Sequence, residues 1–343
     1  MATKDSKTKA FSTTAKSKRK SIKNKKRIRQ QIVISIFVVV ALILVVFATL
    51  IIAQIINKSN EPSTTTPPTS NENVTYIPRD AGNVKMGDLL LINDKYKYNL
   101  PTDLSDMINI YWHRRENENK PLFQINGNYS YALTSTTIYL NKETLRLFNQ
   151  MILDYCSQPD FTPSNDSYVS NLEITLGGFA ENTKNEYQEY MNIGKDYSDH
   201  ILGTTLTLKI NNPSSVITES SLKNNVKWIY QNAHKYGFIL RYPNDCANHT
   251  GHDSSQRIHL RYVGVAHATY IYQNNICLDE YLDLIRNQHG FDNPLEINSA
   301  DGKTYNVYYV AYSGNPTSVP VPKDSVHTIS GDNMNGFIVT VEK

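Results

Sequence analysis

Apolar residues recur at two different spacings along this chain, and the spacing predicts where helices and strands lie. Helical spacing runs through 141–156, where Asn141 can act as the N-cap, and through 222–236, where Gly237 stops the pattern. Two further helices are predicted at 181–191 and 279–285.

Short apolar or alternating runs predict strands between these helices. They are found at 87–93, 172–176, 206–210, 238–242 and 258–263, with two edge strands near the C-terminus at 307–310 and 337–341. Mixed helices and short, non-repeating strands favour an α+β class over a doubly wound sheet. We therefore expect a compact antiparallel or mixed sheet with packed helices.

The N-terminal part has a different pattern. Residues 1–31 are rich in Lys and Arg, with Asp5 as their only acidic residue, and an uncharged apolar run follows at 32–53. That run is long enough to cross a bilayer as a helix, and the basic flank places its N-terminal end in the cytoplasm. A cleaved signal peptide is the alternative, but its apolar region would be shorter.

This pattern predicts four segments. They are a basic cytoplasmic tail (1–31), a transmembrane signal anchor (32–56), a Ser/Thr/Pro/Asn-rich stalk (57–76) and an extracytoplasmic domain (77–343). The protein would be a single-pass type II protein of the cell membrane. The net charge of +3 comes from the tail, so the domain is mildly acidic and no nucleic-acid partner is expected.

The cysteine content does not predict a disulfide framework, because Cys156, Cys246 and Cys277 are few and odd in number. One Cys246–Cys277 bridge is compatible with the sequence but is not demanded by it. We expect the domain to be held together by its core.

Two ordered stretches carry a family resemblance. Segment 228–243 (WIYQNAHKYGFILRYP) and segment 259–264 (HLRYVG), followed by LDEYL at 278–282, resemble the VanY-type zinc D-alanyl-D-alanine carboxypeptidases, which are LAS-type metallopeptidases. The resemblance implies a compact α+β peptidase domain with one zinc ion. It also implies removal of the terminal D-Ala from peptidoglycan stem peptides outside the cell.

The family motif S-x-H-x-x-G-x-x-x-D supplies two zinc ligands, and E-x-W-H supplies the catalytic base and the third ligand. Here Ser198, where a substrate contact is expected, and His200 fit the first motif, and His259 fits the second. The aspartate position holds Thr207, whose neutral hydroxyl is a poor zinc ligand. His200 and His259 are thus expected to be vestigial or weak ligands.

Two more positions depart from the family pattern. The base position holds Gln256, which cannot deprotonate a water, so a loss of roughly 10²–10⁴-fold is expected from this change alone. A shift of the alignment by one residue would place Ser255 there, which would serve no better. The S-G-Y-R segment, whose Arg grips the substrate carboxylate, corresponds to 177–180 and ends in Ala180.

The leading hypothesis is therefore a catalytically degraded homologue that acts as a peptidoglycan-peptide-binding, scaffold or regulatory module, with no cofactor expected. The competing hypothesis is an active zinc D,D-carboxypeptidase in which a loop residue, His252 or Asp253, replaces the lost ligand. Asp199 is a poorer replacement, because adjacent residues of a strand point to opposite faces. A third hypothesis is a partner-binding module among cell-wall proteins.

Overall fold

The computed structural model describes residues 73–93, 95–98, 104–117, 124–159, 161, 168–170, 172–178, 199–210, 224–243 and 258–343. The predicted tail, membrane anchor and most of the stalk lie outside these residues, as does the helix predicted at 181–191. None of the helices within the described ranges is long and apolar enough to cross a membrane. One compact unit spans Asn71–Lys343.

The helices and strands of the described ranges are given in chain order. The strands are β1 Val74–Arg79, β2 Met107–Asn109, β3 Gln124–Ile125, β4 Asn128–Tyr129, β5 Ala132–Leu133, β6 Tyr139–Asn141, β7 Leu172–Leu176, β8 Thr205–Ile210, β9 Phe238–Leu240, β10 Ile258–Tyr262, β11 Leu295–Asn298, β12 Thr304–Ala311, β13 Thr317–Pro322, β14 His327–Gly331 and β15 Gly336–Glu342. The α-helices are α1 Ile110–Glu116, α2 Lys142–Cys156, α3 Asn224–Asn232, α4 Val265–Asn274 and α5 Leu278–Gln288. Short 3₁₀ turns lie at Ala81–Lys85, Asp199–Leu202 and Ala233–Tyr236.

A five-stranded sheet with the order β5-β7-β8-β10-β9 forms the centre of the fold, antiparallel except for the parallel pair β5-β7. One face of this sheet packs against α2 in the main apolar core, to which Leu206 and Leu208 of β8 and Leu260 of β10 belong. Because side chains alternate along a strand, Thr207 and His259 point to the opposite face. The candidate site lies on that second face.

A second sheet, in the order β11-β12-β15-β14, forms the C-terminal part. The strands predicted at 307–310 and 337–341 belong to β12 and β15, but their predicted edge position is wrong. Each of them pairs with a strand on both sides, β12 with β11 and β15, and β15 with β12 and β14. Strand β1 starts at Val74, before the predicted start of the domain at 77, and pairs antiparallel with β13.

The strand predicted at 87–93 is also wrong, although its leucines are buried as expected. Within the described ranges this segment pairs with no strand, and side chains bind much of its backbone, beside backbone contacts such as that of the Leu91 amide, which donates to the Asp332 carbonyl oxygen at 3.1 Å. Arg261 Nη2 donates to the carbonyl oxygen of Asp88 at 2.8 Å, and Asn333 Nδ2 donates to that of Leu91 at 2.8 Å. Buried backbone groups must find partners, and here guanidinium and amide groups take the place of a β-ladder.

The other described predictions agree with the structure in type. Helix α2 begins after Asn141, whose side chain accepts a hydrogen bond from the Glu143 amide, and Gly237 ends its helix with φ of +82°. Helix α4 was not predicted, because its apolar residues have a weak periodicity. Cys277 is disulfide-bonded, whereas Cys156 is a free thiol.

Candidate functional site

Three side chains that the sequence assigns to metal-ligand positions meet on the second face of the central sheet. The Thr207 hydroxyl lies 2.8 Å from His200 Nε2 and 3.0 Å from His259 Nδ1. The two imidazole rings are edge to face, with their centroids 5.8 Å apart. We call this arrangement the His–Thr–His bridge.

The local structure explains how the bridge forms. Thr207 in β8 lies directly opposite His259 in β10, so register alone puts their side chains side by side. His200 comes from the 3₁₀ turn Asp199–Leu202, which leads into β8 through Gly203 in a left-handed conformation with φ of +69°. The reversal at this glycine turns the His200 ring back onto the face where Thr207 lies.

The bridge lies mostly out of contact with water. His200 and Thr207 are fully buried, and His259 is partly exposed. Burial is the main cause and the neighbouring His259 the next, and together they lower the pKa of His200 to about 3. His200 is therefore a neutral imidazole at neutral pH.

A buried charge cluster stands beside the bridge. The Asp199 carboxylate accepts hydrogen bonds from Arg241 Nε, from Arg261 Nη1 at 3.2 Å and from the Tyr242 hydroxyl at 2.9 Å. Arg241 also pairs with Asp279 at 2.8 Å. Burial would raise the pKa of Asp199, but the two guanidinium groups outweigh burial and lower it to about 2.

This cluster shows why Asp199 is not a replacement metal ligand. The reason given from the sequence is wrong, because Asp199 lies in a 3₁₀ turn and not in a strand. Both of its oxygens are committed to the arginines and the tyrosine. Sequence reasoning noted Arg241 and Tyr242 only as part of the family resemblance and missed their role in this cluster.

The other residues assigned to the site from the sequence lie outside the described residues. These are Ser198, Ala180 and Gln256, together with the loop residues His252 and Asp253. Their assignments stay predictions. Within the described ranges, no group of three His, Cys, Asp or Glu side chains could hold a metal ion.

The donor set of the bridge does not fit the zinc site that the resemblance implies. Two ligands bound about 2.05 Å from a tetrahedral zinc lie about 3.3 Å apart, whereas the atoms of the bridge lie at hydrogen-bond distances. The Thr207 hydroxyl carries no charge to offset that of the metal, unlike the carboxylate or thiolate of usual zinc ligands. Two neutral imidazoles and one hydroxyl form a hydrogen-bonded group.

Comparisons with known proteins match this fold and site to one family. The family model "VanY: D-alanyl-D-alanine carboxypeptidase" matches residues 137–265. A D-alanyl-D-alanine carboxypeptidase of Enterococcus faecium is 33% identical over 263 residues, which is 75% of this chain and 76% of the relative. The putative carboxypeptidase YodJ of Bacillus subtilis (strain 168) is 42% identical over 60 residues, 18% of this chain and 22% of the relative.

A solved structure gives the same fold. The vancomycin-resistance D,D-dipeptidase VanXYg, in complex with a D-Ala-D-Ala phosphinate analogue, aligns with a TM-score of 0.59 at 18% identity. The alignment covers 79% of this chain and 99% of that chain. The Enterococcus faecium relative confirms the family resemblance that the two sequence stretches carry. This chain belongs to the VanY family of D-alanyl-D-alanine carboxypeptidases.

Proposed function

We propose that this protein binds peptidoglycan stem peptides without hydrolysing them, as a membrane-anchored scaffold or regulatory module outside the cell. The observation that carries this proposal is the His–Thr–His bridge, in which a neutral hydroxyl stands where the family has a carboxylate ligand. A catalytic zinc site needs three protein ligands and an open position for water. The described part of this site supplies two imidazoles and a hydroxyl.

Two predicted changes add to this proposal, although both lie outside the described residues. Gln256 at the base position has no basic lone pair, and Ala180 at the clamp position has no charge to grip a carboxylate. Together with Thr207, they would remove a ligand, the base and the substrate clamp. Loss of the ligand and the base removes the chemical step, whereas loss of the clamp removes one contact to the terminal carboxylate of the peptide. Peptide binding would then rest on the other contacts of the groove.

The substrate class comes from the family. The Enterococcus faecium relative is a D-alanyl-D-alanine carboxypeptidase and is similar over three quarters of this chain. A stem peptide that ends in D-Ala-D-Ala is therefore the first ligand to test. The predicted signal anchor at 32–56 would hold the domain at the outer face of the membrane, where such peptides are found.

The second candidate is an active zinc carboxypeptidase with an altered metal shell. One observation favours it, namely that nitrogen atoms of His200 and His259 both face the Thr207 hydroxyl from a few ångströms away. In that case His252 or Asp253 would complete the ligand set.

One experiment separates these candidates. The full chain, purified in a mild detergent, is incubated with a pentapeptide stem ending in D-Ala-D-Ala, with added Zn²⁺ or with a chelator. Released D-Ala and peptide affinity are both measured, and His200→Ala is the matched variant. We expect peptide binding that the chelator does not change, and no D-Ala release above background.

Zinc-dependent D-Ala release that His200→Ala abolishes would establish the second candidate instead. Absence of both binding and release would leave the third hypothesis, a module that binds a protein partner at the cell surface. The membrane anchor has a separate test, because deletion of 1–56 should move the protein from the membrane fraction to the soluble fraction.

A further inference from the structure

We infer that the Thr207 hydroxyl has taken over the place of the metal, so that the His–Thr–His bridge excludes zinc, and that one substitution at Thr207 recreates a metal site. This inference deepens the proposed function and concerns the same site. The Thr207 hydroxyl holds the site together without a metal, and the residue at position 207 decides whether a metal can bind.

The protons of the bridge explain the exclusion. A hydroxyl has one hydrogen and two acceptor lone pairs, so it can donate to at most one of the two ring nitrogens, and at least one ring nitrogen must donate its own hydrogen to the hydroxyl oxygen. If Thr207 donates to His200 Nε2, then His259 carries a hydrogen on Nδ1. If Thr207 donates to His259 Nδ1, then His200 carries a hydrogen on Nε2.

Both arrangements leave one lone pair where a metal needs two, and a hydroxyl that accepts from both rings leaves none. When the hydroxyl donates to one ring, His200 and His259 are the same neutral tautomer, both protonated on Nδ1 or both on Nε2. Metal binding would therefore break both hydrogen bonds of a buried hydroxyl and move a proton between ring nitrogens. The hydroxyl itself would contribute only a weak, neutral ligand.

The surroundings hold the bridge in this form. Thr207 is β-branched and fully buried in the centre of the sheet, so its side chain has little rotational freedom. The backbone of His200 follows Asp199, whose carboxylate is fixed by Arg241 and Arg261. The bridge thus ties the 3₁₀ turn, β8 and β10 together, which is the cross-link that a metal would otherwise supply.

An aspartate at the same position reverses these conditions. Its carboxylate accepts hydrogen bonds but donates none, so both imidazoles can present bare nitrogens, and it adds the negative charge that zinc favours. Two imidazoles and one carboxylate form a three-ligand set with an open position. Thr207→Cys makes a similar set through a thiolate and adds no bulk.

The test measures Zn²⁺ uptake by the full chain in a mild detergent, by competition with a chromophoric chelator and by the change in melting temperature. We expect uptake at background level for the wild type and for Thr207→Val, which has the same shape but cannot form the bridge. Thr207→Asp should take up close to one equivalent and melt at a higher temperature with Zn²⁺ than without it. The double variant with His200→Ala should lose that uptake.

Long-range ¹H–¹⁵N spectra of the histidine rings give a readout that does not involve metal. The bridge requires a hydrogen on at least one of the two facing nitrogens, His200 Nε2 and His259 Nδ1, in the wild type, and Thr207→Val should remove this requirement. Circular dichroism shows whether Thr207→Asp folds, and Thr207→Cys serves in its place if it does not.

Stoichiometric zinc in the wild type, lost in His200→Ala, would overturn the inference. So would the absence of zinc uptake by every folded variant that carries Asp or Cys at 207, or wild-type rings in which neither His200 Nε2 nor His259 Nδ1 carries a hydrogen. Stem-peptide affinity of the wild type, measured in the same buffers, keeps the two proposals distinguishable. Failure of the folded Asp and Cys variants to take up zinc leaves metal-free peptide binding standing, and failure of peptide binding leaves the bridge standing.

Discussion

Replacement of Asp199 by asparagine should strongly destabilise the domain. Asp199 is fully buried, and its carboxylate carries the negative charge that faces both Arg241 and Arg261. After the substitution, Asp279 remains as a partner of Arg241, whereas Arg261 loses its ion pair and keeps hydrogen bonds to carbonyl oxygens such as that of Asp88. The Asp88 carboxylate is then the negative charge left to act on the buried Arg261 guanidinium, without a direct ion pair.

The expected size follows from this loss. Removal of one partner from a buried ion pair costs roughly 3–5 kcal/mol, because the remaining charge stays buried without compensation. The exposed pair Glu143–Arg146 is the matched control, since its contact of 2.6 Å is just as short but both side chains are more than half exposed. Glu143→Gln should cost at most about 1 kcal/mol.

Urea unfolding of the unit Asn71–Lys343, followed by circular dichroism, measures both variants against the wild type. The pH dependence adds a second check. The pKa of Asp199 is lowered to about 2, so its stabilising effect is present above its ordinary pKa of 3.8 and is lost as the pH falls from there towards 2. A cost for Asp199→Asn below 1 kcal/mol, or one equal to that of Glu143→Gln, would refute the reasoning.

Three further predictions concern stability. Burial lowers the pKa of His267 from 6.5 to about 4, so the unfolded chain binds more protons than the folded one between these values. The free energy of unfolding should therefore fall by about 2 kcal/mol on acidification to pH 5. His267→Gln should reduce this loss in a urea titration. Gly237→Ala should cost more than about 2 kcal/mol of stability, since a β-carbon there would lie 2.6 Å from the Tyr262 ring. Gly302 has the same φ but open space around it, so Gly302→Ala should cost about 1 kcal/mol. Equal melting temperatures for the two variants would contradict this prediction. Cys277→Ser should cost about 2–5 kcal/mol of stability under oxidising conditions. A reductant should destabilise the wild type by the same amount, so that the two proteins are equally stable when reduced.

Local patterns were sufficient for much of the fold. Helix α2 was predictable because its apolar side chains share one face and Asn141 caps it, and both signals lie within a few residues. Strands β7, β8 and β10 were predictable from short apolar or alternating runs. The segment 87–93 was not, because burial produces the same apolar run whether a neighbouring strand or an arginine side chain binds the backbone.

The sequence alone determined the family and the identity of the residues at the ligand positions. The order of residues along 198–207 and 259–264 is local information, and the presence of threonine at 207 needs no structure to be noticed. The sequence also indicated that Asp199 would not serve as a ligand, although for a reason that the structure corrects.

Tertiary structure decided how these residues are used. Asp199, Arg241 and Arg261 are far apart in the chain, and only the packing of a turn against two strands brings their charges together. The same packing brings Thr207 within hydrogen-bond distance of both His200 and His259. Hydrogen bonds and ion pairs depend on separations of a few ångströms, which no spacing along the chain can specify.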